Sequence, residues 1–236
     1  MGSRRRVPRA AERSLTPQIR IGAVADAFAG QLADLLNHTV TDGIRLTAVT
    51  DQQEQQAAIA YGISRRDAGS LKMIPLAIRG NAHLYLGLSF HMTPDDSGRY
   101  PMIRSSVMFL SPDADYESAR VLLHYDYERD KADDYPDAHL QVVATSEEWE
   151  EVALRYGTEP RPLERLHLPV GGRRYRPTVE DLIEFLIVEK LVTPRRGWKR
   201  WVEDGRADFE ERQLRAAVRR NPEAAIAILR EEGHIS

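Results

Sequence analysis

The chain contains no cysteine. That absence removes disulfides, thiolate nucleophiles, cysteine-ligated zinc and iron–sulfur clusters, and it suits a cytoplasmic protein. Long apolar runs are missing too. None approaches the roughly 18 residues needed to span a bilayer, so no membrane association is expected. The basic start, MGSRRRVPRAAERSL, has no apolar stretch behind it and does not read as a secretory signal. Also absent are a Gly-rich phosphate loop, a nucleophile elbow, an HExxH helix and an EF-hand loop. Gly171-Gly172 precedes Arg173, Arg174 and Tyr175 rather than a helix, so the pair reads as a turn. A net charge of −3 provides no global attraction to nucleic acid.

What is present fits an ordinary globular chain: 236 residues, 42% hydrophobic and 29% charged. That is enough for one large domain, or one domain with a small appendage. The charge is unevenly spread. Residues 111–160 hold fourteen acidic against four basic residues, and 193–220 hold nine basic against five acidic. Arg4, Arg5, Arg6, Arg9 and Arg13 mark residues 1–17 as a disordered Arg-rich tail.

Apolar residues at helical spacing (Ile21, Val24, Ala25, Phe28, Leu32, Leu35, Leu36) predict a helix over Ile19–Val40. Ile44–Val49 reads as a short strand. Asp51 with Glu54 suggests a cap for a second helix running to about residue 63. Strands then follow. Leu71–Arg79 carries Pro75, which places it at an edge. Ala82–Met92 alternates strictly, Leu84, Leu86, Leu88, Phe90 and Met92 against His83, Tyr85, Gly87, Ser89 and His91. Tyr100–Leu110 returns, Val121–Arg129 follows, and after an acidic turn (Asp130–Asp137) comes His139–Ala144. Short polar turns between successive strands predict an antiparallel meander. Beyond it, helices are expected over Ser146–Tyr156, over Thr178–Val192 behind a capping box, over Gly197–Arg220 with a break near Gly205, and from Asn221-Pro222 onward. The fold class is therefore α+β: an antiparallel sheet of about five or six strands with packed helices. Its parts are a tail at 1–17, an α+β domain at 18–192 and a helical C-terminal extension at 193–236.

Candidate chemistry lies on the polar faces of the strands. His124 and Asp126 project from one face of their strand, and His139 and Gln141 share a face of the next. Paired as a hairpin, the two strands bring His124 or Asp126 opposite His139; His167 enters from a third segment, and His83 and His91 come from another strand. His124, Asp126 and His139 are the candidate catalytic residues. Imidazoles with a carboxylate can hold a divalent metal, or act as acid and base on a phosphodiester. The bland alternative is a solvated polar sheet face. Cations interleaved with aromatics supply a candidate nucleic-acid surface: Arg173 and Arg174 beside Tyr175, and Arg195, Arg196, Trp198, Lys199 and Arg200.

The order of features over about residues 120–190 resembles the TumE-like toxin components of bacterial toxin–antitoxin modules. An aromatic strand (Leu123, Tyr125, Tyr127) leads to an Asp-rich turn with Pro136, then His139 on a strand, then the Thr178–Leu182 helix start. Gln141 stands two after His139, where that family tends to carry a second histidine. The resemblance implies a toxin- or defence-type protein acting on nucleic acid, as a nuclease, with an antitoxin or neighbouring-gene product as protein partner. The competing expectation is a non-catalytic protein–protein interaction module of a bacterial multi-component system.

Overall fold

The computed structural model describes residues 19–51, 53, 55–130, 136–144, 147, 151, 167–170 and 176–236. Three of the expected features lie outside that range in whole or large part: the Arg-rich tail, the helix over Ser146–Tyr156, and the Gly171–Tyr175 turn with Arg173 and Arg174.

Helix α1 (Ile21–Thr39) opens the fold. It is followed by β1 (Leu46–Asp51), β2 (Gln56–Tyr61), β3 (Ile74–Ile78), β4 (Asn81–Pro94), β5 (Pro101–Ser111), β6 (Leu123–Glu128), β7 (Ala138–Val142) and a two-residue β8 (Leu168–Pro169). Helices α2 (Val179–Val188), α3 (Trp198–Arg220) and α4 (Pro222–Glu231) complete the chain. The strands form one sheet in the order β1-β2-β4-β5-β6-β7-β8, every pair antiparallel, with β3 also on β4. This is the α+β class read from the pattern, with eight strands rather than five or six.

One of the extra strands, β2, comes from residues 51–63, where the sequence argued for a helix. Glutamine and alanine favour a helix by only a few tenths of a kcal/mol each. Pairing along β4 outweighs that preference, since it sets Ile59 opposite Phe90 and Ala57 opposite Met92. Burial of Ile59 alone, which is fully enclosed, contributes about 2 kcal/mol. Gln55, at φ 52°, makes the turn.

Strand β4 is long enough to serve two partners on one edge: its first half pairs with β3 and its second with β2. Pro75 sits in β3, which pairs with β4 alone, as a residue without an N–H requires. Across β4, β5, β6 and β7 the register keeps one parity on each face. Leu86, Leu88, Phe90, Met108, Leu110, Leu123 and Tyr125 point to the helices and form the core with Ala25, Ala29, Leu32 and Leu36 of α1 and Leu182, Ile183 and Leu186 of α2. Asn37 fixes how α1 enters the sheet: its amide donates to the Ile44 carbonyl at 2.7 Å and accepts from the Ile44 N–H at 2.8 Å.

The capping box at Thr178 forms as the sequence indicates, with Thr178 and Asp181 exchanging side-chain to backbone bonds. The helix it starts is shorter than the apolar run. It ends at Val188, and Val188 and Leu191 are exposed. Nor does Gly205 break α3, which runs unbroken from Trp198 to Arg220. Glu180 of α2 lies against Gly205, where a side chain would collide with it, so the glycine serves close helix packing. Val202 joins the main core, whereas α4 buries no residue.

Gly87 has an equally specific reason. It stands opposite Phe109, and the Phe109 ring occupies the space where a Cβ on residue 87 would be. Gly87→Ala should therefore lower stability by about 1–3 kcal/mol through overpacking. In urea denaturation the double variant Gly87→Ala/Phe109→Leu should lose less than the sum of its parts. Strict additivity would show that the ring and the glycine are not coupled.

Candidate metal centre

The face of the sheet away from the α1–α2 core carries the opposite parity set. One row of partners reads Gly87, Phe109, His124, Gln141, and the next reads Ser89, Val107, Asp126, His139, Pro169. Asp126 is thus directly opposite His139, at the ordinary cross-strand spacing of about 5 Å between Cβ atoms. His124, two residues before Asp126 on β6, completes a triangle. One ligand atom from each of His124, Asp126 and His139 lies within 4.8 Å of the other two. His124 Nε2 is 3.4 Å from Asp126 Oδ2, and His139 Nε2 is 3.6 Å from the same oxygen. Ligands about 2.0–2.1 Å from a tetrahedral ion stand about 3.4 Å from one another. Both edges that share the carboxylate already match that figure.

The imidazoles are held from behind. His139 is only 3% exposed. Its Nδ1 faces the Pro136 carbonyl at 3.2 Å; a carbonyl can only accept, so Nδ1 carries a proton and donates it. That turns the Nε2 lone pair toward Asp126, an outer contact of the kind that orients metal-bound histidines. The His167 ring meets His139 edge to face, with centroids 4.5 Å apart. His124 Nε2 donates to Gln141 Oε1 across the β6–β7 pair. Its hydrogen bond to Asp126 raises the His124 pKa, partial burial opposes the rise, and the Asp126 charge and the Gln141 bond reinforce it. In this arrangement a proton sits among Nε2, the carboxylate and the amide oxygen. A metal ion entering there would displace that proton.

The loop between β5 and β6 closes over this face. Arg120 grips Asp113 with Nε and Nη2, both at 2.9 Å, and with its backbone N–H. That contact lowers the Asp113 pKa to about 2. The loop so pinned carries Tyr116, whose ring packs edge to face on Phe109 at 5.4 Å. Burial first, and then the charge of Asp126, push the Tyr116 phenol up. Tyr116 is the site residue that the sequence did not suggest, because a loop aromatic has no periodicity to reveal which way it points.

Other candidates sit elsewhere. His83 and His91 are exposed on β4 and do not join the cluster. Arg195 ties down the end of α1, bonding Thr39 and Thr41 carbonyls and pairing with Asp42 at 3.3 Å. Lys199 pairs with Glu203 at 3.8 Å and Arg200 with Asp204 at 3.4 Å. Trp198 packs on the core and Arg196 is exposed. These residues belong to the helical layer, on the other side of the sheet from His124, Asp126 and His139. The basic stretch and the histidine cluster therefore do not form one continuous surface.

The proton on His124 makes its own prediction. Folding raises the His124 pKa above the unfolded value of about 6.5, so its stabilising contribution is complete below that pH and disappears as pH climbs through the raised value. Imidazole titration by NMR should give His124 a midpoint above that of a free histidine, and Asp126→Asn should lower it. An unchanged midpoint in Asp126→Asn would show that the carboxylate does not hold the proton.

Among the described residues, no helix is long and apolar enough to cross a membrane. Comparison with family models, with curated proteins and with solved structures finds no match to this chain.

Proposed function

We propose that this protein is a divalent-metal-dependent phosphodiesterase of toxin or defence type that acts on nucleic acid through His124, Asp126 and His139. The observation that carries this reading is the convergence of three ligand atoms within 4.8 Å on one sheet face, with both imidazoles 3.4–3.6 Å from one carboxylate oxygen. Two imidazoles and one carboxylate leave a tetrahedral ion an open position for water, the arrangement of catalytic rather than structural sites. There the ion would activate water and counter the charge on the scissile phosphate. His139 and Asp126 would hold it and His124 would complete the set, while Tyr116, packed on Phe109 in the row of His124, would contact the substrate. The charge of the sequence segment that carries the cluster argues in the same direction. Fourteen carboxylates against four basic residues over 111–160 repel a polyanion unless a cation stands among them. Nucleic acid as the substrate class rests on the TumE-like sequence resemblance, and the helical-layer cations offer the cluster no shared phosphate track.

A second reading, an interaction module with a protein partner, draws on a different observation. Leu214 and Val218 of α3 and Ile226, Ile228 and Leu229 of α4 are all exposed, an apolar surface of the kind partners cover.

Labelled RNA, single-stranded DNA and duplex DNA incubated with Mn²⁺, Mg²⁺ or Zn²⁺ test the first reading. Cleavage should require metal and fall at least about 100-fold in His139→Ala and in the more exposed variant His124→Ala. Equal cleavage by His124→Ala and the parent protein would remove the assignment. Metal at about 100 times its Kd should also stabilise the fold by about 2.7 kcal/mol. Because the metal and a proton compete for His124, affinity should weaken as pH falls through the His124 midpoint. Binding that does not vary with pH would place the metal elsewhere.

A further inference from the structure

On the opposite side of the sheet a cleft of about 540 Å³ opens between α1, the start of α2, and α3. Its volume is within the range of small-molecule sites. The walls are apolar: Phe28, Leu32 and Leu35 of α1, Phe90 of β4, and Trp201 and Phe209 of α3. Arg176, Arg200 and Arg212 line it beside these. The Arg176 guanidinium lies between two aromatic rings, 5.7 Å from the Tyr127 centroid and 5.6 Å from that of Phe209.

Rings stabilise a cation through their faces but accept none of the five N–H donors of a guanidinium in the way a carboxylate does. Among the described residues no carboxylate comes within ion-pairing reach of Arg176, and no acceptor takes its N–H groups. Burial draws the Arg176 pKa down, Tyr127 and Glu180 oppose that, and Arg129 adds to it. The guanidinium is partly buried, lines the cleft and, among the described residues, has no carboxylate beside it, so a bound anion would supply its counter-charge.

The other charges lining the cleft are accounted for. Arg200 pairs with Asp204 and Arg212 with Asp208, each at 3.4 Å. Glu180 lies against Gly205 of α3 and makes no ion pair with Arg176, though its charge favours the cation. Asp34 lines the wall on α1. With Glu180 and Asp34 both present, the cleft has room for one added negative charge more readily than for two.

We propose that this cleft binds a small amphiphilic monoanion, its acid group on Arg176 and its apolar body against Phe28, Leu32, Phe90 and Trp201. The chemical class is a carboxylate with an aliphatic or aromatic tail. Arg176 would donate two parallel N–H bonds to the carboxylate, the geometry in which arginine recognises that group most specifically. The site is independent of the histidine cluster.

The probe is 8-anilinonaphthalene-1-sulfonate, an aromatic monoanion whose fluorescence rises on entering an apolar site, with uncharged N-phenyl-1-naphthylamine as the control. The full-length protein should bind the sulfonate one to one and more tightly than the neutral amine, and dodecanoate should displace it. Arg176→Met should weaken sulfonate and dodecanoate about tenfold, the scale of one charge-assisted hydrogen bond, while leaving the amine unchanged. Arg176→Lys, which keeps the charge but not the paired N–H geometry, should recover only part of the affinity that Arg176→Met loses. Thermal melts establish that each variant is folded, and Phe28→Trp, which fills the cleft without touching the cation, should weaken all three ligands. Sulfonate binding that ignores Arg176→Met overturns the proposal, because the dye would then be on the exposed apolar face of α3 and α4. So does a parent protein that binds the neutral amine as tightly as the sulfonate.

Discussion

The continuous register from Tyr85–His91 of β4 through the paired stretches of β5, β6 and β7 is the constraint on which the rest depends. Side chains alternate along a strand, so a slip of one residue would exchange the two faces. Here such a slip at β7 would send His139 into the helical core and Leu140 toward Asp126. The rows oppose it: Leu110, Leu123 and Val142 are partners in one, Met108, Tyr125 and Leu140 in the next, with Leu110, Leu123, Met108 and Tyr125 in the core. Apolar packing against α1 and α2 thereby fixes the position of a carboxylate and two imidazoles that make no contact with those helices. The polar cluster is the reverse side of the hydrophobic one.

The same alternation separates two kinds of chemistry. One side of β6 presents His124 and Asp126. The other presents Tyr125 and Tyr127, and Tyr127 lies under the guanidinium of Arg176. Adjacent residues of one strand thus serve a hard, oxygen- and nitrogen-lined site and an aromatic cleft on opposite sides of the sheet. The helices that complete the cleft pack through small contacts, notably Gly205 against Glu180. Arg206 ties α3 to α2 by contacts to Asp181 at 3.2 Å and Glu184 at 2.6 Å. At the end of α3, Arg219 lies over the Tyr100 ring at 4.0 Å, whereas α4 has no buried residue.

Much of this was legible in the residues. Strict alternation over Ala82–Met92 and Leu123–Glu128 identified the strands and named the residues of each face, because period two has no helical equivalent. The 3.6-residue period of α1 and the Thr178–Asp181 box gave the helices of the core. Residues 51–63 misled because local propensity there favours a helix, while the edge of β4, some thirty residues further on, supplies a stronger partner. The break expected at Gly205 failed for a related reason: a glycine costs a helix about 1 kcal/mol, less than the close packing it permits.

The sequence by itself determined which residues share a face, since that follows from strand periodicity alone. It determined the α+β class and the absence of thiol chemistry as well. Only the tertiary structure decided that Asp126 meets His139 while His83 and His91 stand apart, because strand order and register are set by long-range packing. It likewise decided that Tyr116 folds over the cluster, that Arg195 to Arg200 lie on the far side of the sheet, and that Arg176 enters an aromatic cleft. Each of those outcomes depends on segments far apart in the chain, and no local pattern encodes their distance.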